Sequence, residues 1–388
     1  MAERTAADDL SEYDFSQAVA YHRGGFPPET LALARLIGPL GTARDALARY
    51  DQMLTTLHNG SLLLAPMRSQ EAVVSSRIEG TVTTLDALLQ YEAERDDDSS
   101  AGAPARDDTL ETLLYARAMR EAETKLREGW PISNALIREA HRTLLSSGRG
   151  QNQSPGEFKT EQNYIADRLR KRVLFVPIEP LHLNDGMERL QDYLRQPAPL
   201  DPLLRTAVFH AEFEALHPFN DGNGRIGRML VTLMLWKDAL LSGPNFFLSA
   251  YLEREKDQYI ERLRQVSAAD DWTSWCVFFF EAVASAAREN LAAAQRISDL
   301  YQNLRDQFRG ATGSQWHGAA LDFMFERPVF TTTQFVRRMT VDHSMSAATA
   351  RRFISELSAR GILALVRPGA GQRPAMYALE PLLQVLRV

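Results

Sequence analysis

The sequence between Ala211 and Leu230 reads AEFEALHPFNDGNGRIGRML. Residues 221–224 are Asp-Gly-Asn-Gly, residue types that tolerate left-handed backbone, so they predict a tight loop after a first helix. The apolar run from Met229 to Trp236 predicts that a second, buried helix follows the loop. A glycine-rich loop that leads into a helix directs backbone N–H groups at one point, and this arrangement predicts an anion site.

The side chains around this loop are those that phosphate chemistry requires. Arg225 and Arg228 are three residues apart, so they share a helix face, and their guanidinium groups suit phosphate oxygens. Asp221 offers an oxygen ligand for a phosphate-bound Mg²⁺. His217 carries an imidazole that accepts a proton near neutral pH. Together these residues predict phosphoryl or nucleotidyl transfer.

The spacing alone leaves simpler interpretations open. The loop is also compatible with a structural turn between two helices, and His217 with a capping or core histidine. His210, Glu214 and His217 lie at positions 0, 4 and 7 of one helix, a spacing that is compatible with a metal site.

The segment HPFNDGNGRIGR, residues 217–228, resembles the signature of the Fic family, His-Pro-Phe-x-Asp-Gly-Asn-Gly-Arg-x-x-Arg, at every fixed position. Other parts of the chain also resemble the family, namely PGEFKTEQNYI, VLFVPIEP, SAYLEREKDQYIERLRQV and DDWTSWCVFFFEAV. The resemblance covers roughly residues 10–300. It implies an enzyme that transfers AMP from ATP to a hydroxyl group of a target protein.

The resemblance also implies a role for each motif residue. His217 would be the general base, Asp221 would hold Mg²⁺, and Arg228 would bind the γ-phosphate of ATP. Phe219 would anchor the loop, and Tyr259 would lie near the adenine, although this chain has Gln-Tyr where the family often has a tyrosine pair. Four consecutive residues would cradle the phosphates, namely Gly222, Asn223, Gly224 and Arg225.

A second motif, SSRIEG at residues 75–80, resembles the inhibitory sequence of the family, Ser/Thr-x-x-x-Glu-Gly/Asn, and begins at Ser75. By this resemblance, Glu79 would pair with Arg228 and take the arginine away from the γ-phosphate. In some family members the same glutamate positions water for the removal of AMP. From the sequence alone, Glu79 is also compatible with a solvated helix residue.

Helical periodicity dominates the chain and predicts a mainly α fold. The resemblance implies a Fic-fold helical bundle with a small β-hairpin flap, and the run 173–176 is β-prone. We expect an N-terminal helical segment at 1–107, a catalytic core at 108–300 and a separate domain at 314–388. The charged segment 94–108 predicts a loop between helical blocks.

The last 75 residues have the pattern of a winged helix-turn-helix, three helices followed by two short strands. Ser346 and Gly361 predict the start and the stop of the third helix. Residues 314–388 carry a net charge of +4 while the rest of the chain is at −10. Arg351 and Arg352 on the third helix are compatible with DNA contact or with a solvated face, and such domains also dock proteins.

The overall composition is that of a globular protein, with 45% hydrophobic and 24% charged residues. The single cysteine, Cys276, lies in an apolar run and predicts a buried thiol in a cytoplasmic protein. We expect no membrane association, because the N-terminus is unlike a signal peptide and no apolar run is long enough to span a bilayer.

The sequence therefore predicts a Mg²⁺-dependent protein adenylyltransferase that uses ATP and is restrained by Glu79. Its target would be a Ser, Thr or Tyr hydroxyl of an unidentified protein, with the chain itself among the candidates. The resemblance also implies a homodimer. Two alternatives stay open: a related Fic-type chemistry, such as another nucleotide donor or AMP removal, and a DNA-binding regulator whose core senses nucleotide.

Overall fold

The computed structural model describes residues 2–4, 12–57, 59–95, 107–196, 201–312 and 315–387. Most of them are helical, which confirms the predicted mainly α fold. Contacts divide the chain into two compact units. The first is Met1–Asp51, Val74–Val82 and Leu110–Arg288, and the second is Gln52–Val73, Thr83–Thr109 and Glu289–Val388. The three-part division expected from the sequence stays a prediction.

The helices lie in the chain as follows: α1 Leu33–Thr56, α2 Gly60–Leu63, α3 Ala65–Ile78, α4 Leu85–Arg95, α5 Asp107–Arg127, α6 Asn134–Leu144, α7 Pro180–Arg195, α8 Pro202–Leu216, α9 Asn223–Lys237, α10 Ser249–Arg254, α11 Lys256–Ala269, α12 Trp272–Thr312, α13 His317–Glu326, α14 Thr332–His343, α15 Ala347–Ala359 and α16 Glu380–Leu386. The predicted loop at 94–108 falls mostly outside the described residues. Its first two residues end α4 and its last two begin α5.

Two buried helices, α8 and α9, form the centre of the first unit. α8 begins where the Asp201 side chain accepts a 2.7 Å hydrogen bond from the backbone N–H of Leu203, with Pro202 in the first turn, where its missing N–H costs nothing. Nearly every residue of both helices is buried, because they pack against each other and against neighbours on all sides. α9 contains the predicted apolar helix.

The first unit also contains a four-stranded sheet in the order β1-β3-β4-β2. The hairpin of β3 and β4 is the predicted flap, while the two outer strands were not predicted. β1 pairs antiparallel with β3, and β2 pairs parallel with β4. Both edges of the hairpin are therefore paired with residues near the N-terminus. The strands are β1 Ala2–Arg4, β2 Val19–Ala20, β3 Tyr164–Asp167 and β4 Arg172–Val176.

The C-terminal part of the second unit has the expected helices and strands in the expected order. Ser346 caps α15 through a 3.1 Å bond from the N–H of Thr349, and Gly361 ends it with a φ of +71°. A strand that was not predicted precedes α14, so the sheet has the order β5-β7-β6. The assignment as a winged helix stays a prediction. The strands are β5 Val329–Thr331, β6 Leu363–Arg367 and β7 Met376–Leu379.

Two further expectations concern single features of the chain. Cys276 is free and fully buried, as predicted, and burial raises the pKa of its thiol to about 12. Among the described helices, none combines the length and the apolar character that crossing a bilayer requires.

A capping box fixes the start of α14. The Thr331 hydroxyl accepts from the N–H of Gln334, and the Gln334 side chain accepts from the N–H of Thr331. We expect Thr331→Ala to lower the free energy of unfolding by about 1 kcal/mol, because a buried N–H loses its acceptor. Thermal and urea unfolding measure the change. Thr340→Ala is the control, since the Thr340 hydroxyl, as far as the described residues show, donates to carbonyls of its own helix. An equal loss in both variants would contradict the assigned cap.

Candidate active site

The end of α8 orients the imidazole of His217. Its backbone is left-handed, with a φ of +46°, and it ends the helix as the C-cap. Its Nδ1 lies 3.2 Å from the carbonyl oxygen of Glu214. A carbonyl only accepts, so Nδ1 carries the proton and Nε2 is the basic nitrogen. Because the residue lies in the left-handed region, asparagine can replace it with less backbone strain than alanine.

The side chain of Asn223 closes the loop between α8 and α9. Its amide oxygen accepts a 2.8 Å bond from the N–H of Phe219, and its amide nitrogen donates a 2.8 Å bond to the Phe219 carbonyl. Gly222 caps α9 with a φ of +81°. The side chain of Asn223 therefore stabilises the loop through both of these bonds to Phe219.

A buried histidine of α6 contacts the loop between α8 and α9. His141 accepts a 2.8 Å hydrogen bond from the N–H of Gly156 at Nδ1, so its Nε2 donates to the carbonyl of Asp221, at 2.8 Å. Its ring stacks on Phe219 with centroids 3.7 Å apart. Burial lowers the pKa of His141 to about 4, although the hydrogen bond to Asp221 opposes this shift. The residue is therefore neutral at physiological pH.

Two side chains from the irregular segment after α6 hold the other carbonyls of the loop. Lys159 donates from Nζ to the carbonyl of Leu216 and to the side chain of Asn163. Asn163 donates to the carbonyls of His217 and Phe219, at 3.1 and 2.9 Å. Sequence reasoning did not single out these residues or His141. Their only signal is their place in the stretch that resembles the family.

Arg228 lies against the second motif. Its Nε donates to the Ser75 hydroxyl at 3.0 Å, and its Nη2 donates to the Ser75 carbonyl and to Glu79 Oε1, both at 2.8 Å. Lys256 donates to the carbonyl of Ile78 at 2.6 Å, where α3 ends. The structure thus brings together Ser75, Glu79 and Arg228, and an inhibitory role for this contact stays a prediction.

The contact between Arg228 and Glu79 is a largely buried ion pair. Burial would raise the pKa of Glu79, but the charge and hydrogen bond of Arg228 and the charge of Arg225 keep it below its ordinary value. Burial would likewise lower the pKa of Arg228, but Glu79 and other acidic neighbours raise it. Both groups are therefore ionised. A Cβ on Gly224 would lie 2.3 Å from Glu79 Oε1, so only glycine lets the carboxylate approach α9.

The other motif arginine, Arg225, is also buried, with 2% of its surface exposed. Its Nη2 donates to Asp221 Oδ1 at 3.1 Å, and its Nη1 lies 3.5 Å from Glu111 Oε2. The sequence predicted a phosphate ligand here and gave no sign of Glu111, which lies on α5 far upstream.

A cavity that opens to solvent adjoins these groups. Its wall includes His217, Arg228 and Tyr259, together with apolar residues of the flap and of α11. The Tyr259 hydroxyl lies 2.8 Å from Nε2 of His210, and burial lowers the pKa of His210 to about 3, helped by the charge of Arg228. His210 thus uses Nε2 in its hydrogen bond with Tyr259. No cluster of three or more potential metal ligands occurs among the described residues.

Asp221 suits a Mg²⁺ ion that arrives with a nucleotide. Its side chain is 36% exposed, and the two hydrogen bonds to it within the described residues both go to Oδ1. The N-terminus of α9 lies beside it and favours anions. Mg²⁺ is commonly held by one or two carboxylates while phosphates and water supply its other ligands. The residues therefore fit Mg²⁺ with a polyphosphate rather than an ion held by protein alone.

Two family models match the chain. Residues 37–124 match the Fic/DOC family N-terminal model, and residues 131–235 match the Fic/DOC family model, which contains the whole loop. Both domains of the Fic/DOC family are therefore present in the chain.

Curated relatives are named as protein adenylyltransferases. The chain is 26% identical over 201 residues to a probable protein adenylyltransferase of Aquifex aeolicus, matching 51% of this chain and 55% of that protein. It is 32% identical over 108 residues to the protein adenylyltransferase fic-1 of Caenorhabditis elegans, which is 27% of this chain and 20% of that protein. The chain thus spans about half of the first relative and a fifth of the second.

Solved structures share the fold. A Fic family protein from Desulfovibrio desulfuricans G20 superposes with a TM-score of 0.56 at 22% identity, covering 91% of this chain and 98% of that chain. Fic-1 from C. elegans, residues 134–508, superposes with a TM-score of 0.51 at 20% identity, covering 68% of this chain and 73% of that chain. These similarities support the Fic fold of the chain.

The neutral histidine under the loop predicts a pH dependence of stability. The pKa of His141 is about 4 in the folded protein and about 6.5 when unfolded, so its stabilising contribution is complete above pH 6.5 and is lost as the pH falls towards 4. We expect the free energy of unfolding to fall by about 2 kcal/mol between pH 7 and pH 5 because of His141. Urea unfolding of wild type and His141→Gln measures it. Parallel pH profiles for the two proteins would contradict the assignment.

Proposed function

We propose that this protein is an adenylyltransferase that transfers AMP from ATP to a hydroxyl group of a target protein, with Mg²⁺ as its metal ion. The observation that carries the proposal is the arrangement of one basic imidazole nitrogen, the anion-binding start of α9 and two buried arginines around one loop. The names of the curated relatives support the same activity.

Each motif residue then has a task. The start of α9 favours phosphate oxygens, to which Gly222, Asn223 and Gly224 would present backbone N–H groups, and Arg225 and Arg228 would neutralise their charge. The Gly222 N–H donates to Asp221 Oδ1 at 2.6 Å in this structure, so it becomes available to a phosphate when Asp221 turns towards Mg²⁺. Asp221 would hold Mg²⁺, which lowers the negative charge on the phosphates when it is bound. Tyr259 forms part of the cavity wall that would face the adenine.

The chemical step is an exchange of bonds at the α-phosphorus of ATP. His217 Nε2 takes the proton of the target hydroxyl while the hydroxyl oxygen attacks the α-phosphorus. The bond from this phosphorus to the oxygen that bridges it to the β-phosphate breaks, and pyrophosphate leaves. The protonated imidazole keeps its orientation because Nδ1 stays bonded to the carbonyl of Glu214.

Glu79 restrains this reaction. Its carboxylate and Ser75 together use Nε and Nη2 of Arg228, so these donors are not available to a γ-phosphate while the contact lasts. The Glu79 side chain is 15% exposed, so it can leave without unfolding a core. We propose that release of Glu79 is the activating step.

The target would approach the hairpin flap by adding a strand, a common mode of peptide recognition. In this structure the edge of β4 is already used: Asp14 bonds Lys171 and Val173, and Tyr21 donates to the carbonyl of Val176. A target strand can therefore pair at these positions only after residues 14–21 have left. The acceptor would be a Ser, Thr or Tyr hydroxyl of a target protein, with the chain itself among the candidates.

The remaining proposals concern location, assembly and domains. We propose a cytoplasmic location, because the donor ATP is found there. A homodimer remains the expected assembly, and the mass in solution tests it. The divisions 1–107, 108–300 and 314–388 stay our proposed domains.

Removing the restraint should activate the enzyme. With α-labelled ATP, Mg²⁺ and a bacterial lysate as acceptor, we expect Glu79→Gly to incorporate at least tenfold more label than wild type, because Arg228 becomes available. Adding His217→Asn to Glu79→Gly should reduce the label at least about a hundredfold, because the base is lost while the left-handed backbone is kept. Label on the protein itself would reveal self-modification.

Matched variants make this experiment specific. Glu79→Gln removes only the charge and should activate in the same direction. Glu128→Gly changes another glutamate that directly follows a helix, α5, and should leave activity unchanged. Equal labelling by wild type and Glu79→Gly would contradict the restraining role of Glu79. Label that persists without His217 would contradict its role as general base. Label from another nucleotide, or label removed rather than added, would favour the related Fic chemistries.

Contacts within the second unit give less support to DNA binding. Arg338 forms ion pairs with Glu326 and Asp342. Arg352 pairs with Glu356, and Arg367 of β6 pairs with Glu94. We therefore expect no saturable binding of a labelled DNA duplex at low salt, measured by fluorescence anisotropy. Saturable binding that weakens steeply with salt would instead favour a DNA-binding regulator.

A further inference from the structure

The guanidinium group of Arg225 lies between two carboxylates that differ in their exposure to solvent. Asp221 accepts from Nη2 at 3.1 Å, and Glu111 lies 3.5 Å from Nη1. The side chain of Asp221 is 36% exposed, whereas that of Glu111 is 6% exposed. When a metal ion and phosphates arrive, Asp221 has room to turn towards them, and Glu111 remains where it is.

Glu111 also contacts the segment that follows α3, the helix that carries Ser75. The hydroxyl of Thr81 donates to Glu111 Oε2 at 3.3 Å, the same oxygen that faces Arg225. The N–H of Thr81 donates to the carbonyl of Ser76, which closes the end of α3 around Glu79. Thr81 and Glu111 are both buried. One carboxylate oxygen therefore contacts both the turn that follows Glu79 and the side chain of Arg225 at the start of α9.

We propose that Glu111 is a positioning residue of the nucleotide site, which holds Arg225 from behind so that its remaining donors face the phosphates. The inference rests on the proposed function, since it takes the ligand to be a nucleoside polyphosphate. The Nε–H of Arg225 is buried and has no hydrogen-bond acceptor within the described residues. With Nη1 held by Glu111, phosphate oxygens can take Nε and the Nη2 that Asp221 gives up.

A purely structural role makes a different prediction. A buried arginine needs a carboxylate partner, and removing the partner costs stability whatever the protein does. If Glu111 served only that purpose, its loss would lower the melting temperature and leave nucleotide affinity of the folded protein unchanged. A positioning role instead weakens the binding of phosphates specifically, while the nucleoside still binds.

Nucleotide binding distinguishes these roles without any need for the target. The parent protein is the full chain with Glu79→Gly and His217→Asn, which is free of the restraint and does not turn over. Glu111→Gln and Thr81→Val are added separately, and ATP with Mg²⁺ is titrated by calorimetry. Adenosine is titrated by NMR as the ligand without phosphates. Melting temperatures are recorded for every variant.

We expect Glu111→Gln to raise the Kd for ATP about tenfold and to leave the Kd for adenosine unchanged. Thr81→Val should raise the Kd for ATP about threefold, because Glu111 loses a donor that fixes its oxygen, and Thr81→Ser should not. Glu123→Gln is the control, since Glu123 is another buried glutamate of α5 that faces an arginine, at 4.0 Å. It should match the parent for both ligands.

The outcomes separate the inference from the proposed function. A parent that binds no ATP would overturn the proposed function itself. A parent that binds ATP, with Glu111→Gln binding it equally well, would overturn only the role of Glu111. If Glu111→Gln does not fold, Thr81→Val decides, because it is isosteric: an unchanged Kd for ATP would then overturn the proposal.

Discussion

Two arginine side chains are buried beside the loop between α8 and α9, and the cost of keeping their charges away from water constrains the groups around them. Each requires an anionic partner at all times. In this structure the chain supplies the partners, Glu79 for Arg228 and Glu111 with Asp221 for Arg225. Under the proposed function, a nucleotide would bring anions of its own. The two states of the site would then differ in which anions balance the same two cations.

The part of this site that is contiguous in sequence was predictable. Glycine and asparagine at residues 222–224 predict the tight loop. The helix that starts there presents its first N–H groups at its N-terminus. The spacing of Arg225 and Arg228 places them on one helix face. The partnership of Glu79 with Arg228 followed from a resemblance rather than from spacing, because 149 residues separate them. The mainly α fold and the flap hairpin followed from periodicity and β-propensity.

The groups that support the site carry no local signal. Glu111 lies on a helix rich in charged residues, where sequence cannot distinguish a buried glutamate from a solvated one. His141, Lys159 and Asn163 bind carbonyls, which every residue type provides, so their partners leave no pattern. The strands β1 and β2 have three and two residues, too few for an alternation to show.

The pairing of both flap edges with the N-terminal residues has a practical side. The Fic/DOC match begins only at residue 37, and a chain cut there would lose both outer strands of the sheet. It would also lose the hydrogen bonds of Tyr21 and His22 to Glu212, a buried carboxylate of α8. Unpaired strand edges recruit other chains, so such a shortened protein should aggregate. By pairing with β3 and β4, the strands β1 and β2 occupy the edges at which a second chain would otherwise pair.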